Sequence, residues 1–344
     1  MKELKTTKIA DFILNQIKLK KIKVGDRILS EYRLASKFNV NKSTANRAVA
    51  SLVEKGILKR CPGAAGTIVA AQSLYPVGNI GFLLSIGQTS FCPRLLRGAQ
   101  NAAYSRKYAL QYLEWCPYED MNAFWSAIAS SKLDGLIVQG GPVPDDLPFP
   151  VLNVNEYPEQ YQNQNWVVSD NYSGGKLIAE HLLKAGHREI AFVSIYSKKK
   201  SMLDRAKGFF DVLQEKSIKQ LDERFFCLPA RSANIGAVIE SIYKRFPNIT
   251  AIAFDQDSVT SRAIKYLEGK GVKIPYDISV TGFGMLQELY NHITITSINE
   301  HPFQMAYDAT GLLINRIENK RKEPIQETLP VELVIGDSVS IIPN

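Results

Sequence analysis

Cysteine and histidine are scarce in this chain of 344 residues, which contains four of each. The cysteines, Cys61, Cys92, Cys116 and Cys227, stand far apart without a Cys-x-x-Cys pair, and no histidine has metal-ligand spacing from a cysteine or a carboxylate. This pattern predicts unpaired thiols in a reducing cytoplasm, with neither a disulfide framework nor a metal site. No cofactor is expected.

Long apolar runs are absent as well, because none approaches the roughly 18 residues that a membrane-spanning helix requires. The N-terminus is polar and basic, and it lacks the apolar core and the cleavage site of a secretory signal. We therefore expect a cytoplasmic protein that does not associate with a membrane.

Catalytic signatures are also missing. The sequence has no P-loop, no Ser-His-Asp order, no paired catalytic acids and no Gly-x-Gly-x-x-Gly after a strand. Gly140-Gly141 and Gly174-Gly175 are too sparse to form phosphate-binding loops. We predict that the protein is not an enzyme, although an enzyme built on a doubly wound sheet is opposed only by these absences.

Positive charge is concentrated at one end of the chain. Residues 1–70 carry 15 Lys and Arg against 5 Asp and Glu, whereas the remainder carries 27 against 29, within a formal net charge of +8. This excess would attract a polyanion such as DNA, and the alternative is a solvated lysine-rich surface. With 45% apolar residues, the chain is long enough to bury cores in two or three domains.

Helical periodicity marks the basic N-terminal segment. Apolar residues recur at three- and four-residue steps over Lys8–Lys18, and Ser30 can cap a second helix that ends near Phe38-Asn39. A third helix is predicted to start after Asn41. Two helices joined by a short turn are typical of a helix-turn-helix, whose second helix reads the DNA major groove.

Two short strands follow the third helix. They cover residues 57–60 and 67–69 and flank the Pro- and Gly-containing turn at 62–66, so they predict a β-wing. At this point the residues resemble the GntR-type winged helix. The matching segments are 25–28, 30–35, 38–40, Thr44, 47–48, Leu52, 54–58 and 66–69.

The resemblance implies DNA contacts from the second helix, the third helix and the wing. These residues are Ser30, Glu31, Arg33, Asn41, Lys42, Ser43, Thr44, Asn46, Arg47 and Gly63. The chain departs from the family at Leu29, at Asn41-Lys42 and at Asn46, where Pro, Ser-Arg and a second Arg are usual. These departures affect the operator sequence more than the fold, because Asn and Lys prefer different base edges from Arg. The alternative is a small helical domain that binds protein.

Strand and helix patterns alternate through the rest of the chain. Apolar runs such as 80–86, 135–138, 190–195 and 278–282 are separated by amphipathic stretches, which predicts parallel sheets with helices on both faces. We predict an α/β fold with a winged helix-turn-helix at residues 1–70, a linker at 71–78 and a two-lobed domain at 79–344. Lobe 1 covers 79–170 and 301–328, and lobe 2 covers 171–300 and 329–344.

The larger region resembles the sugar-sensing domain of LacI/GalR-type repressors, which is itself periplasmic-binding-protein-like. Matching motifs include Asp170-Asn171, Gly186-His187-Arg188, Arg205 before Gly208-Phe209, and Gly282-Phe283. A GntR-like reader joined to a LacI-like sensor is the architecture of arabinose-type repressors, and this chain is similar to it. In the turn at 186–190, His187 is expected to lock the helix to the strand that follows.

The resemblance and the ends of the predicted strands together indicate an effector site. Its candidate residues are Gln88, Phe91, Gln139, Asn155, Arg205, Gln256, Asp257 and Phe283, with Trp115 near the same cleft. Arg205 is placed at the end of the loop after the 190–195 strand, and its alternative is a surface pair with Asp204 or Glu215. Asp257 would bind hydroxyls or cap a helix, and core packing is the alternative for Phe91.

One expected carboxylate is missing. The family usually places Asp after the Gly-Phe pair, where this chain has Gly284, so the ligand is expected to present fewer hydroxyls there. We predict a homodimeric repressor of sugar-utilisation genes that binds double-stranded operator DNA. Its effector would be a neutral monosaccharide, either a deoxyhexose such as fucose or a pentose such as arabinose. The alternative function is a sugar-binding solute receptor without a DNA role.

Overall fold

The computed structural model describes residues 5–19, 21–54, 56–62, 66–70, 76–84, 90–115, 120–158, 162–195, 199–228, 234–286, 292–319 and 323–342. Contacts within the chain divide it into two units. One is Met1–Asn79 with Tyr104–Ala109, and the other is Ile80–Ala103 with Leu110–Asn344.

The N-terminal unit is a winged helix-turn-helix. Its elements are α1 (Lys5–Lys18), α2 (Glu31–Phe38), α3 (Lys42–Glu54), β1 (Leu58–Cys61) and β2 (Gly66–Val69). The two strands pair antiparallel, with Leu58 opposite Val69. The predicted helices and wing are confirmed, with boundaries that differ by one to three residues because helix and strand ends are poorly specified by periodicity.

Capping residues delimit the helix-turn-helix. Ser30 accepts a hydrogen bond from the Arg33 amide at 3.3 Å, and Asn41 accepts one from the Thr44 amide at 2.8 Å, so each side chain satisfies a backbone donor at a helix start. Asn39 ends α2 in the left-handed conformation, with φ of 48°. These signals are local, which explains why the sequence predicted them.

The helices of this unit close over one apolar core. Ile9 and Ile13 from α1, Leu34 from α2 and Val49 and Leu52 from α3 are all buried in it. The faces of α2 and α3 that these residues leave outward carry the polar side chains expected to contact DNA.

The larger unit contains the remaining elements, apart from residues 78–79, 104–105 and 108–109 at the ends of β3, α4 and β4, which group with the N-terminal unit. Its helices are α4 (Phe91–Ser105), α5 (Met121–Ala129), α6 (Asn171–Lys184), α7 (Lys200–Glu215), α8 (Ile235–Arg245), α9 (Asp257–Gly269) and α10 (Pro302–Asn319). Its strands are β3 (Gly78–Leu84), β4 (Tyr108–Glu114), β5 (Gly135–Val138), β6 (Val151–Val154), β7 (Trp166–Ser169), β8 (Ile190–Ile195), β9 (Phe225–Leu228), β10 (Ala251–Phe254), β11 (Ser279–Phe283), β12 (Thr296–Asn299), β13 (Gln326–Leu329) and β14 (Glu332–Val334).

Two six-stranded sheets form the two lobes. The strand order is β13-β7-β6-β5-β3-β4 in lobe 1 and β14-β12-β11-β10-β8-β9 in lobe 2. The pairings within β8 to β12 and within β3 to β7 are parallel where residue partners are resolved, and β14 runs antiparallel to β12. The chain passes between the lobes after β7, after β12 and after β13, so both sheets are assembled from distant segments.

Continuous apolar runs explain why these strands lie inside. Every residue of β5, β8, β10 and β11 is buried, as expected for parallel strands covered on both faces. The predicted doubly wound fold is confirmed. The edge strand β4 was not predicted, because only Tyr108 is buried in it and Gln111, Tyr112 and Glu114 are exposed, which weakens the apolar signal.

Two glycines bring α6 and α7 into close contact. A Cβ atom at Gly175 would lie 2.0 Å from the Arg205 carbonyl oxygen, and one at Gly208 would lie 2.0 Å from the Tyr172 carbonyl oxygen. Only residues without a side chain allow the two backbones to approach in this way. The close approach holds α6 against the part of α7 that carries Arg205.

Among the described residues, Cys61, Cys92 and Cys227 form no disulfide bond, and Cys116 lies outside them. Among the helices that the structure describes, none combines the length and the apolar character needed to cross a lipid bilayer.

Candidate functional site

A cavity of about 780 Å³ opens between the two lobes. It lies beyond the carboxyl ends of strands from both sheets, which is where open α/β sheets bind ligands. The structure brings together in its lining all the predicted effector residues that it describes: Phe91, Gln139, Asn155, Arg205, Gln256, Asp257 and Phe283. Gln88 lies outside the described residues.

Lobe 1 contributes amides at two strand ends. Gln139 follows β5, and its Oε1 lies 3.5 Å from the Cys92 thiol, which also lines the cavity. Asn155 follows β6 with φ of 67°, a left-handed conformation that Asn tolerates. Its Oδ1 is buried and has no hydrogen-bond partner among the described residues, so it is an acceptor that a ligand hydroxyl can satisfy.

An aromatic group supports the same wall. Trp115 stacks on Phe124 with ring centroids 5.7 Å apart and meets Trp125 edge-on at 5.6 Å. Gly141 leaves room for this ring, because a Cβ atom there would lie 2.6 Å from it. Trp115 therefore lines the cavity with an indole ring whose position is fixed by its aromatic neighbours, and it lies near the cleft as predicted from the sequence.

Arg205 is the central cation of lobe 2. It lies in the second turn of α7, so its predicted position in the preceding loop is wrong, because the helix begins at Lys200. Its residue exposure is 4%, and its Nε, Nη1 and Nη2 donate to Asn171 Oδ1, the Asp255 carbonyl and Glu300 Oε1, each at 2.7 Å. The surface pair suggested as an alternative is wrong as well, since the partner carboxylate is Glu300.

The guanidinium of Arg205 also covers an aromatic ring. Its Cζ lies 3.6 Å from the centroid of Phe283, the last residue of β11. Gly174 admits this ring, because a Cβ atom there would lie 2.7 Å from it. Cation–π contact and three hydrogen bonds together hold the guanidinium in one orientation.

Glu300 is a buried carboxylate at the crossing from β12 to α10. Burial raises the pKa of Glu300, and the adjacent guanidinium of Arg205 opposes that shift. We conclude that Arg205 and Glu300 form an ion pair in which each group neutralises the other.

Asp257 is the first residue of α9, and Gln256 occupies the cap position. Asp257 Oδ2 accepts a hydrogen bond from the Leu286 amide at 2.6 Å, and Asp257 Oδ1 accepts one from the Ser297 hydroxyl at 3.0 Å. The capping role is therefore wrong, because the carboxylate ties three segments of lobe 2 together instead. Burial raises its pKa to about 6, although these hydrogen bonds oppose the rise.

Gln256 keeps its amide near the cavity. Its Nε2 donates to the Met202 sulfur, a weak acceptor, at 3.6 Å, and its Oε1 accepts from the Ser258 hydroxyl at 3.5 Å. Both contacts are long, so the amide retains hydrogen-bonding capacity for a ligand.

Several cavity residues were not predicted. Glu156 follows Asn155 and forms an ion pair with Lys199, which precedes α7, so this pair joins lobe 1 to lobe 2. Glu300 follows β12 directly and gave the same signal, a polar residue after a strand, that identified Gln139. Sequence reasoning could have found it on that basis.

Formal charge is balanced around the cavity. Among the described lining residues, the acids are Glu156, Asp257 and Glu300, and the bases are Lys199, Arg205 and Arg262. Two of these acids and two of these bases are paired with each other. The described residues include no group of three or more His, Cys, Asp and Glu that could hold a metal.

His187 lies away from the cavity. Its Nδ1 lies 2.9 Å from the Thr250 hydroxyl and its Nε2 lies 3.0 Å from the Ser340 carbonyl. Burial lowers its pKa. His187 therefore does not line the cavity, as expected, and its side chain joins the turn after α6 to Thr250 and to the C-terminal segment.

The predicted DNA-contacting residues occupy one part of the N-terminal unit. Ser30 and Asn41 use their side chains as helix caps, and Ser43 and Thr44 donate to Asn41 Oδ1. Arg33, Lys42, Asn46 and Arg47 are exposed. Gly63 lies outside the described residues.

Arg60 of the wing organises two of these residues. It donates to Asn46 Oδ1 at 2.7 Å and to Glu31 Oε1 at 3.1 Å. Lys42 lies 5.8 Å from the ring of Tyr32, which is 74% exposed. Arg60 and Tyr32 were not predicted, because their contacts join elements separated in the sequence.

Comparison with protein families agrees with both halves of this description. The model of bacterial regulatory proteins of the GntR family matches residues 5–69, and the periplasmic binding protein-like domain matches residues 179–339. The chain therefore combines a GntR-type helix-turn-helix domain with a periplasmic-binding-protein-like domain.

Two similar proteins come from Halalkalibacterium halodurans. This chain is 24% identical over 345 residues to an arabinose metabolism transcriptional repressor, covering 91% of this chain and 90% of the relative. It is 25% identical over 279 residues to a ribose operon repressor, covering 78% and 82%.

Solved structures share the fold. A complex of the transcriptional regulator CelR with cellobiose matches with a TM-score of 0.68 at 18% identity, over 86% of this chain and 90% of that one. A LacI family regulator from Enterococcus faecium with bound ribose matches with a TM-score of 0.66 at 21% identity, over 77% and 100%.

Proposed function

We propose that this GntR-type chain is a sugar-responsive transcriptional repressor. It binds double-stranded operator DNA as a homodimer through residues 1–70, and residues 79–344 sense a neutral monosaccharide in the cavity between the lobes. Residues 71–78 link the two parts. The observation that carries the proposal is that the predicted effector side chains in the described chain meet in one cavity, while the same chain also contains a winged helix-turn-helix with an exposed polar face on α3.

Charge and exposure support the DNA-binding role. The excess positive charge of the chain lies within residues 1–70, where Lys42 and Arg47 are exposed on α3. Lysine and arginine there would neutralise phosphates, and Asn46 offers an amide to a base edge. Both relatives from Halalkalibacterium halodurans are repressors by name.

The balanced charge of the cavity supports a neutral effector. Arg205 is neutralised by Glu300 and Lys199 by Glu156, so neither cation is left to attract a phosphate or a carboxylate. The Asn155 Oδ1 and the Gln256 amide offer hydrogen bonds to hydroxyls, and Trp115 offers an apolar edge to a sugar ring. A pentose such as arabinose or a deoxyhexose such as fucose suits this surface, and the relatives named for arabinose and ribose belong to the same chemical class.

Repression and effector binding are linked thermodynamically. If the sugar weakens operator binding by some factor, the operator weakens sugar binding by the same factor. A nearly complete switch requires about 10⁴-fold differential affinity, or about 5.5 kcal/mol. Enclosure of a sugar between two lobes can supply a difference of this size.

Fluorescence anisotropy on DNA from the protein's own promoter tests the proposal. We expect salt-dependent binding, with release when L-arabinose, L-fucose or D-ribose is added and no release with a sugar phosphate. Sequence-independent binding that no neutral sugar alters would contradict the repressor function. Sugar binding without any affinity for DNA would instead favour a solute receptor.

A further inference from the structure

Glu300 is placed where it can contact an effector as well as Arg205. It follows β12 at the second crossing between the lobes, and its side chain is 5% exposed at the wall of the cavity. Arg205 donates to Oε1 at 2.7 Å. A carboxylate oxygen has two acceptor sites, so Oε1 and Oε2 together retain acceptor capacity beyond this bond.

Arg205 has donors to spare beside that carboxylate. Its guanidinium carries five N–H groups, and the three bonds to Asn171, the Asp255 carbonyl and Glu300 leave one N–H on each Nη atom. Since Phe283 covers one face of the guanidinium, a ligand cannot approach from that face, and the remaining N–H groups point outward along the edge of the group. The pair therefore presents N–H donors next to a carboxylate acceptor.

Gly284 leaves the space in front of Glu300 open. An ideal Cβ atom at this position would lie 3.8 Å from Glu300 Oε2 and 4.0 Å from Asp257 Oδ2, so a side chain there would point towards both acids. The φ of Gly284 is +123°, a conformation that residues with a side chain rarely adopt. Each oxygen of Asp257 already accepts a hydrogen bond, from the Leu286 amide or the Ser297 hydroxyl, so Glu300, whose Oε2 borders the space at Gly284, is the better placed acceptor for a ligand.

We propose that Glu300 determines effector specificity by accepting a hydrogen bond from a hydroxyl of the sugar while neutralising Arg205 against anionic ligands. Adjacent hydroxyls of an uncharged polyol match the pair, one donating to the carboxylate and one accepting from the guanidinium. Glu300 thus supplies the carboxylate that the sequence lacks at position 284. The ligand can therefore present a hydroxyl there, contrary to the expectation from the sequence. This inference rests on the proposed sugar-sensing function.

Isothermal titration of the full-length protein provides the test. The neutral probes are L-arabinose, L-fucose, D-ribose and cellobiose, and the anionic probes are L-arabinonate and D-ribose 5-phosphate. Glu300→Gln keeps an acceptor for Arg205 but removes the charge. We expect affinity for the best neutral probe to fall about tenfold or more, as for loss of a charge-assisted hydrogen bond. The preference for its anionic counterpart should rise, because Arg205 is no longer neutralised.

Glu300→Asp separates the two roles. It keeps the negative charge but shortens the reach by one methylene, so neutral sugars should bind more weakly while anionic probes remain excluded. Glu300→Asp also tests the proposal if Glu300→Gln does not fold. Thermal unfolding without ligand shows whether each variant is folded. Glu240→Gln, an exposed residue on α8, is the matched control and should leave both affinities unchanged.

The outcomes distinguish this inference from the proposed function. Suppose that the wild type binds a sugar and that both Glu300 variants bind it as tightly as the wild type does, with the same preference for neutral over anionic probes. The proposed role of Glu300 is then overturned. If the wild type binds promoter DNA but none of the neutral probes, the proposed effector class fails instead.

Discussion

The buried carboxylate of Asp257 should make the stability of the larger unit depend on pH. Its pKa is raised from 3.8 to about 6 by burial. A shift of about two units corresponds to roughly 3 kcal/mol between the two protonation states. Because the folded state holds the proton more tightly than the unfolded chain, the stabilising contribution is present below pH 4. It is lost as the pH rises through 6.

Asp257→Asn removes this titration while keeping both hydrogen bonds. The new amide oxygen can accept from the Leu286 amide, and the new NH₂ group can donate to the Ser297 hydroxyl, whose proton is free to rotate. We expect the variant to be more stable than the wild type, with an advantage that grows by about 1.4 kcal/mol between pH 5 and pH 8.

Urea unfolding followed by tryptophan fluorescence measures the effect. All three tryptophans, Trp115, Trp125 and Trp166, lie in the larger unit, so this signal reports on it without a contribution from the winged helix. The lowered pKa of His181 and of His187 favours stability at high pH, but both titrate in both proteins and cancel in the difference. An advantage that is constant between pH 5 and pH 8 would refute the reasoning. The exposed Asp222→Asn serves as the control.

Three further predictions concern the reader, the lobe packing and the cavity. Lys42→Ala should lower the affinity for all DNA sequences alike and reduce the slope of log affinity against log salt concentration by about one. Arg47 is also exposed, and Arg47→Ala should weaken DNA binding without unfolding the protein. A DNA footprint that neither substitution changes would contradict the assignment of α3 as the DNA-contacting helix. Gly175→Ala should cost about 1–3 kcal/mol in urea unfolding, because its Cβ would lie 2.0 Å from a backbone oxygen. Lys199→Met should change effector affinity by at most about fivefold, less at high salt, since its half-exposed pair with Glu156 is screened; a larger change in calorimetry would show that the pair does more than join the lobes.

Local patterns in the sequence predicted much of this protein. Ser30 and Asn41 identify helix starts because a cap bonds an amide three residues away. The runs at 135–138 and 190–195 identify buried strands, and a polar residue after a strand identifies Gln139. Such signals depend only on neighbours along the chain, so they are readable before the fold is known.

The tertiary structure decided which groups share the cavity and in what charge state. Arg205 and Glu300 are 95 residues apart in the sequence, and they meet because the chain crosses between the lobes and glycines bring α6 and α7 together. Sequence alone placed Arg205 in the effector site with a surface pair as the alternative, did not identify Glu300 as its partner, and left the role of Asp257 open. Residue type and order specify the elements, but the partner of a buried charge follows from which segments the fold brings into contact, since burial makes an uncompensated charge costly.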